Sequence, residues 1–377
     1  MARLGLPVPP FREVQRSGDS VSHTVEAVVA AAKGLLHPGH GVSVRSCSSD
    51  EDREESAAAG RYLSYNGLVS KAGIAAAAEA IVIHHESEAP TGASLSLLVQ
   101  ETIPSYFSGV LHLDAAGSSG TAIVEAHYGS CRTVTDGLSR PYRSFHLDGS
   151  WRHERRDAGA GADLYFAHAS TFGRFRNHPG ERLRSGLPGG PRDVRLFQRA
   201  SSLELVVYGC PPDSPPSWHP EVCAFLLQAA EDLAGESGID LEWTVTANGD
   251  PWLLQARPLT REISTLVQAR DETTSPLGSG RPKGFPASPG AAAGVVRSPG
   301  GIRSGERTIL LLRDGTIHDP RQITMSAGVI VVRGGMLCHV AIICREQGVP
   351  CIVGVGDPPS VGEAVEIDGS TGWLAQL

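Results

Sequence analysis

The chain switches between helical and strand-like apolar patterns. The Ala-rich stretch Val25–Leu36 and another from about Ser70 to Ala80 predict helices. Glu221–Gly235 predicts a third, because its apolar positions keep helical spacing up to a terminal glycine. Short apolar runs predict strands at Gly41–Ser46 and TAIVEAHYG. SLSLLVQE and SGVLHLDA read as adjacent strands separated by a Pro-containing turn, and IDLEWTVT and PWLLQARP as two strands joined by the turn ANGD. Between 130 and 200 glycine and arginine dominate and little periodicity survives. From about Arg261 to Lys283 the chain turns to Thr, Ser, Gly and Pro, which predicts an interdomain linker. A compact unit follows: strands GVVRS, TILLLR and GVIVVR, the helix HVAIICREQG, then PCIVGV. There is no internal repeat.

The 377 residues suffice for two or three domains with substantial cores. A net charge of −8 argues against a nucleic-acid surface as the main business. No run approaches the ~18 apolar residues of a membrane span, and MARLGLPVPPF lacks signal-peptide features, so a cytoplasmic protein without membrane partners is expected. Lysine is confined to Lys33, Lys71 and Lys283; arginine carries nearly all the positive charge. The seven cysteines show no CxxC pair, so they read as small core residues rather than a disulfide or zinc framework.

The sharpest chemical signal is GGMLCHVAIICREQGVPCIVG, residues 334–354. A strand ends in Gly334–Gly335, glycines that permit a tight turn and leave room for a bulky group. His339 then opens an apolar helix, whose N-terminus favours phosphate. Neutral imidazole there suits a covalent phosphoryl acceptor, and a structural histidine after a Gly-Gly turn is the bland alternative.

This segment resembles the phosphohistidine motif of the phosphoenolpyruvate (PEP)-utilising enzymes: PEP synthase, pyruvate phosphate dikinase and rifampin phosphotransferase. Gly334, Gly335, Cys338, His339, Ala341, Arg345, Glu346, Gly348, Pro350 and Gly354 meet the motif, and GFPASPGAAAGVV and Thr316 also match. Leu337 stands where many members carry Thr. The likeness covers 284–377. DLEWTVTANGDPWLLQARPLT is similar to the last hairpin of the family's ATP-grasp domain, which implies Glu242 and Gln255 for Mg²⁺ and ATP and Arg257 for phosphates. An oxygen ligand from each of two strands beside an arginine suits that task. VSVRSCSSDED, with Gly60 beyond, resembles a further ATP-binding segment, in which Arg45 would bind nucleotide phosphate.

The resemblance therefore implies an α/β protein: an ATP-grasp domain over 1–262, a flexible linker over 263–283 with a span of roughly 25 Å, and a swivelling β/α phosphohistidine domain over 284–377. It implies a dikinase-like transferase that uses ATP and Mg²⁺, phosphorylates His339 and releases AMP. Two departures stand out. The family's lysine-bearing GGKGANL-type loop has no counterpart before LGLPVPPF, and YGSC replaces GLGE, Gly129 being retained. A homologue that binds nucleotide or a partner without turnover is the rival reading. As the sequence stands, no acceptor domain accompanies the two shared ones. The expected acceptor is a small molecule or a partner protein, with the arginines from Arg132 to Arg184 as candidate anion contacts. His84–His85 read as a surface strand end rather than a metal pair.

Overall fold

The computed structural model describes the chain apart from residues 17–19, 38–39, 49–51, 54–55, 58–62, 89–93, 116–120, 155–162, 169–196, 199–203, 210–214, 235–237, 260, 263–273, 276–277, 280–282, 304 and 318. Most of the expected linker, and the family-like positions Ser49, Glu51 and Gly60, lie outside the described residues.

Near the N-terminus an antiparallel four-stranded sheet runs in the order Phe11–Gln15, Leu95–Glu101, Val42–Ser48, Ser64–Leu68. The helices Val21–Lys33 and Lys71–Glu88 supply Val28, Ile74 and Ile81 to a core shared with Val44, Leu97 and Val99. Both helices depart from the sequence reading. The first starts at Val21 because Ser20 caps it, accepting the His23 N–H at 3.4 Å. The second continues past Ala80 because Ile81 and Val82 prolong its buried stripe, so His84–His85 sit on a helix, with His85 buried, and not at a strand end.

An antiparallel six-stranded sheet forms the centre, ordered Ser150–Glu154, Tyr142–Leu147, Ala122–Tyr128, Phe107–Leu113, Ile239–Val245, Pro251–Pro258. SLSLLVQE and SGVLHLDA are therefore not partners. The first pairs within the small sheet and the second within the central one. The Pro-bearing connection lacks the glycine turn chemistry that folds a hairpin, and each strand finds a better-matched neighbour elsewhere.

Alternation along the central strands serves two cores. Leu111, Val124, Tyr142, Leu241 and Trp243 pack under the helix His219–Ala234. Val110, Ile123 and Phe145 point the other way and share a core with Leu310, Val331, Met336, Leu337 and Val340 of the C-terminal unit. That unit is a seven-stranded sheet ordered Phe285–Ser288, Cys351–Val353, Gly328–Val331, Thr308–Leu312, Ala291–Arg297, Ala364–Asp368, Trp373–Gln376. Its four middle-order strands from Cys351–Val353 to Ala291–Arg297 pair in parallel. The helix His339–Gln347 makes the crossover between Gly328–Val331 and Cys351–Val353, as parallel neighbours require.

Candidate active site

Residues two apart on a strand share a face. Leu241 and Trp243 fill the helix-side core, which turns Asp240 and Glu242 toward the C-terminal unit. The neighbouring strand sets Arg257 opposite Asp240 and Gln255 opposite Glu242. Arg45 reaches in from the small sheet: its Nη1 donates to Gln255 Oε1 at 3.2 Å and lies 3.9 Å from Glu242 Oε2. The four predicted nucleotide residues, Arg45, Glu242, Gln255 and Arg257, thus meet at the junction of two sheets. Arg45 and Glu242 also line a cleft with Ser43, Gln100 and Arg132.

Arg257 has an occupant already. Its Nε donates to Asp240 Oδ2 at 2.8 Å and its Nη2 lies 2.7 Å from the same oxygen. Although burial alone would raise it, the Arg257 and His112 contacts hold the Asp240 carboxyl down at about 2. The Asp240–Arg257 pair keeps this corner charged and ordered. Lys33 ends the first helix, exposed, and does not line the cleft.

The histidine loop is built by close approach. Gly334 has φ 104°, a left-handed value suited to glycine. Gly335 does not serve to admit a bulky group, as the sequence suggested: a Cβ there would stand 2.0 Å from the Glu125 Oε2 atom. Fully buried Glu125, from the central strand Ala122–Tyr128, accepts the Met336 N–H at 3.0 Å and the Leu337 N–H at 2.9 Å. Arg143 supplies the counter-charge, its Nε donating at 2.6 Å, and its guanidinium carbon lies 3.6 Å from the centre of the Phe285 ring. From behind, buried Arg345 donates to the carbonyls of Met336 and Ala287, both at 2.7 Å. The carboxylate takes the loop's N–H groups and the guanidinium takes its carbonyl.

Cys338 is the N-cap residue, in extended conformation, and His339 starts the helix, which Gly348 ends in a left-handed turn at φ 65°. Burial pushes the Cys338 thiol up to about 12, so it is a packing group rather than a nucleophile. His339 keeps 33% of its side chain exposed, and its Nδ1 lies 3.7 Å from Asp136 Oδ1. Desolvation lowers its pKa, against the pull of Asp136, Glu242 and Asp240. The ring is therefore neutral near pH 7, and Glu242 and Asp240 lie within its electrostatic reach.

Glu125 and Asp136 escaped the sequence reading, and Arg143 was expected only as a candidate anion contact. Glu125 had one visible signal, a lone charge inside the apolar strand TAIVEAHYG; nothing local marked Asp136. Of the proposed anion contacts, Arg132 pairs with Asp136 at 2.8 Å, Arg143 with Glu125, and Arg140 donates to the Val355 carbonyl at 3.4 Å. All three are engaged within the protein, Arg132 while also lining the cleft, and exposed Arg152 has its guanidinium carbon 5.8 Å from the centre of the Phe145 ring. Arg155, Arg156 and those from Arg174 to Arg184 lie outside the described residues.

Comparison with known proteins accords with this geometry. Residues 302–372 match the family described as PEP-utilising enzyme, mobile domain. That stretch is similar to the mobile domain of the PEP-utilising enzymes. It is 26% identical over 352 residues to a probable phosphoenolpyruvate synthase of Methanothermobacter thermautotrophicus, covering 88% of this chain and 46% of that protein. With the phosphoenolpyruvate synthase of Aeropyrum pernix it shares 28% over 374 residues, 88% of this chain and 43% of that one. With the pyruvate, phosphate dikinase of Clostridium symbiosum it shares 32% over 169 residues, 39% of this chain and 18% of that one. The chain thus spans less than half the length of these PEP-utilising relatives. Its fold is α/β, two antiparallel sheets followed by a mixed sheet that contains the residues matching the mobile domain.

Proposed function

We propose that this chain is an ATP-dependent phosphotransferase of the dikinase type that carries a phosphoryl group on His339. The observation that carries the reading is the placement of a neutral, partly exposed imidazole beside Asp136 and within the field of Glu242, Asp240 and Arg257. The residues present fit Mg–ATP. A carboxylate and an amide oxygen, Glu242 and Gln255, stand beside two guanidinium groups, and the buried Arg45 Nε and Asp240 Oδ1 atoms have no hydrogen-bond partner among the described residues. Mg²⁺ would neutralise polyphosphate charge there.

Asp136 faces Nδ1 and favours the tautomer protonated at that nitrogen, which leaves the Nε2 lone pair free to attack. In the proposed step Nε2 bonds to the β-phosphorus and the bond from that phosphorus to the α–β bridging oxygen breaks. AMP leaves, and the γ-phosphate is then released to water or phosphate. Asp136 offsets the positive charge that the ring gains. The acceptor is a small molecule or a site supplied by a partner protein.

Intact-mass analysis after incubation with Mg–ATP tests the reading. An acid-labile adduct, absent from His339→Ala, with AMP as the nucleotide product, is expected. Adduct persisting in that variant, or stoichiometric ADP, would overturn it.

A further inference from the structure

Three metal-ligating side chains converge on the far face of the central sheet, away from His339. His219 and Cys223 are four residues apart on the helix His219–Ala234 and therefore share a face. The His219 Nε2 atom lies 3.5 Å from Cys223 Sγ. His153 comes from the edge strand Ser150–Glu154, in register with Ser144. The ligating atoms of the three lie within 4.8 Å of one another. We propose that His153, His219 and Cys223 bind a divalent cation of the zinc class.

Zinc bonds of roughly 2.0–2.3 Å in a tetrahedron put ligand atoms about 3.3–3.8 Å apart. The pair on the helix already has that spacing. His153 must close by about 1 Å relative to such a tetrahedron, and it sits exposed on an edge strand where small shifts meet little resistance. The Ser144 hydroxyl now lies between the two rings, 2.7 Å from His153 Nδ1 and 2.9 Å from His219 Nε2. Both imidazole nitrogens thus already aim at one point, and rotation of that hydroxyl would open it.

The surroundings suit a cation with soft and borderline ligands. Cys223 is a buried free cysteine. Binding would release its proton to solvent as the sulfur–metal bond forms, so the charge is balanced. Trp151 stacks along His153 and Phe107 meets His219 edge-on, giving the site apolar walls. Three protein ligands leave one position for water at the exposed side. The metal would pin the edge hairpin to the helix, a structural role on the face opposite the phosphoryl chemistry.

Cobalt(II) titration of the full chain, followed by zinc competition, tests this. One equivalent should produce a thiolate-to-cobalt charge-transfer band in the near ultraviolet and tetrahedral bands in the visible, both erased by zinc. Cys223→Ser should abolish the near-ultraviolet band. His153→Ala, at an exposed position, should fold normally and weaken binding by more than the roughly 10–100-fold typical of losing an outer-shell partner. Ser144→Ala should retain binding. No band, or a band of the same strength in both ligand variants, would overturn the proposal.

Discussion

The buried carboxylate of Glu125 accepts the backbone N–H of Leu337 at 2.9 Å, joining residues 212 positions apart in the chain. The same carboxylate takes Met336, so a central-sheet strand fixes the loop that presents His339. Proteins leave such a charge buried only when it is fully hydrogen-bonded and paired, as Arg143 ensures here.

Removing one acceptor from that contact should loosen the loop first. Glu125→Gln turns an oxygen into a donor facing another N–H and leaves Arg143 with a weakened counter-charge. A loss on the order of 3 kcal/mol in stability is expected. Hydrogen exchange of the Met336 and Leu337 amides would report it, and unchanged protection at both would contradict the arrangement described.

Gly335 and Glu125 should be energetically coupled. Gly335→Ala alone drives a methyl into the carboxylate, whereas in a Glu125→Ala background the obstacle is gone. The double variant should be more stable than the sum of the singles predicts, by about 0.5–3 kcal/mol. Denaturant titration of the four proteins measures the difference directly. Strict additivity is the adverse result.

The two arginines Arg257 and Arg45 offer an internal contrast. Arg257→Ala strands the buried Asp240 and is expected to cost on the order of 3–5 kcal/mol of stability as well as labelling of His339. Arg45→Ala orphans no buried charge. It should slow labelling while leaving the melting temperature nearly unchanged, since losing one charge-assisted contact costs about 1.5–3 kcal/mol of binding. Thermal melts and labelling rates on both variants separate the two roles, and equal melting losses would refute the distinction.

The pH profile of labelling follows from the lowered pKa of His339. Only the neutral ring attacks, and burial keeps it neutral below the ordinary histidine value. The labelling rate should therefore stay flat as pH falls from 8 through 6.5, declining only in more acidic buffer. Asp136 favours the protonated ring, so Asp136→Asn should move the decline further to the acid side. It should also slow labelling at pH 7, on the order of tenfold, or about 1.4 kcal/mol of barrier. Rate measurements across that range decide. An acid limb already present at pH 7, or one moved to the alkaline side by Asp136→Asn, would show the assignment to be wrong.

Much of this protein was written locally in its sequence. Helical spacing and terminal glycine located His219–Ala234, and the ANGD turn located the hairpin that bears Glu242 and Gln255. The glycines, histidine and helix of residues 334–348 marked the histidine loop, because turn and cap chemistry act over a few residues. Tertiary structure decided the partners. SLSLLVQE and SGVLHLDA were legible as strands but not as members of different sheets, since alternation specifies a face and never a neighbour. The purpose of Gly335 was likewise invisible: its missing side chain makes room for a carboxylate 210 residues earlier. Glu125, Arg143 and Asp136 took their places around the histidine loop only when the C-terminal unit packed on the central sheet, where desolvation turns an ordinary charge into one that must be paired. His153, His219 and Cys223 follow the same logic, as their convergence depends on a helix crossing one face of that sheet. Sequence sets what each segment prefers; burial sets which distant groups must meet, because a charge taken out of water has to find its partner inside the fold.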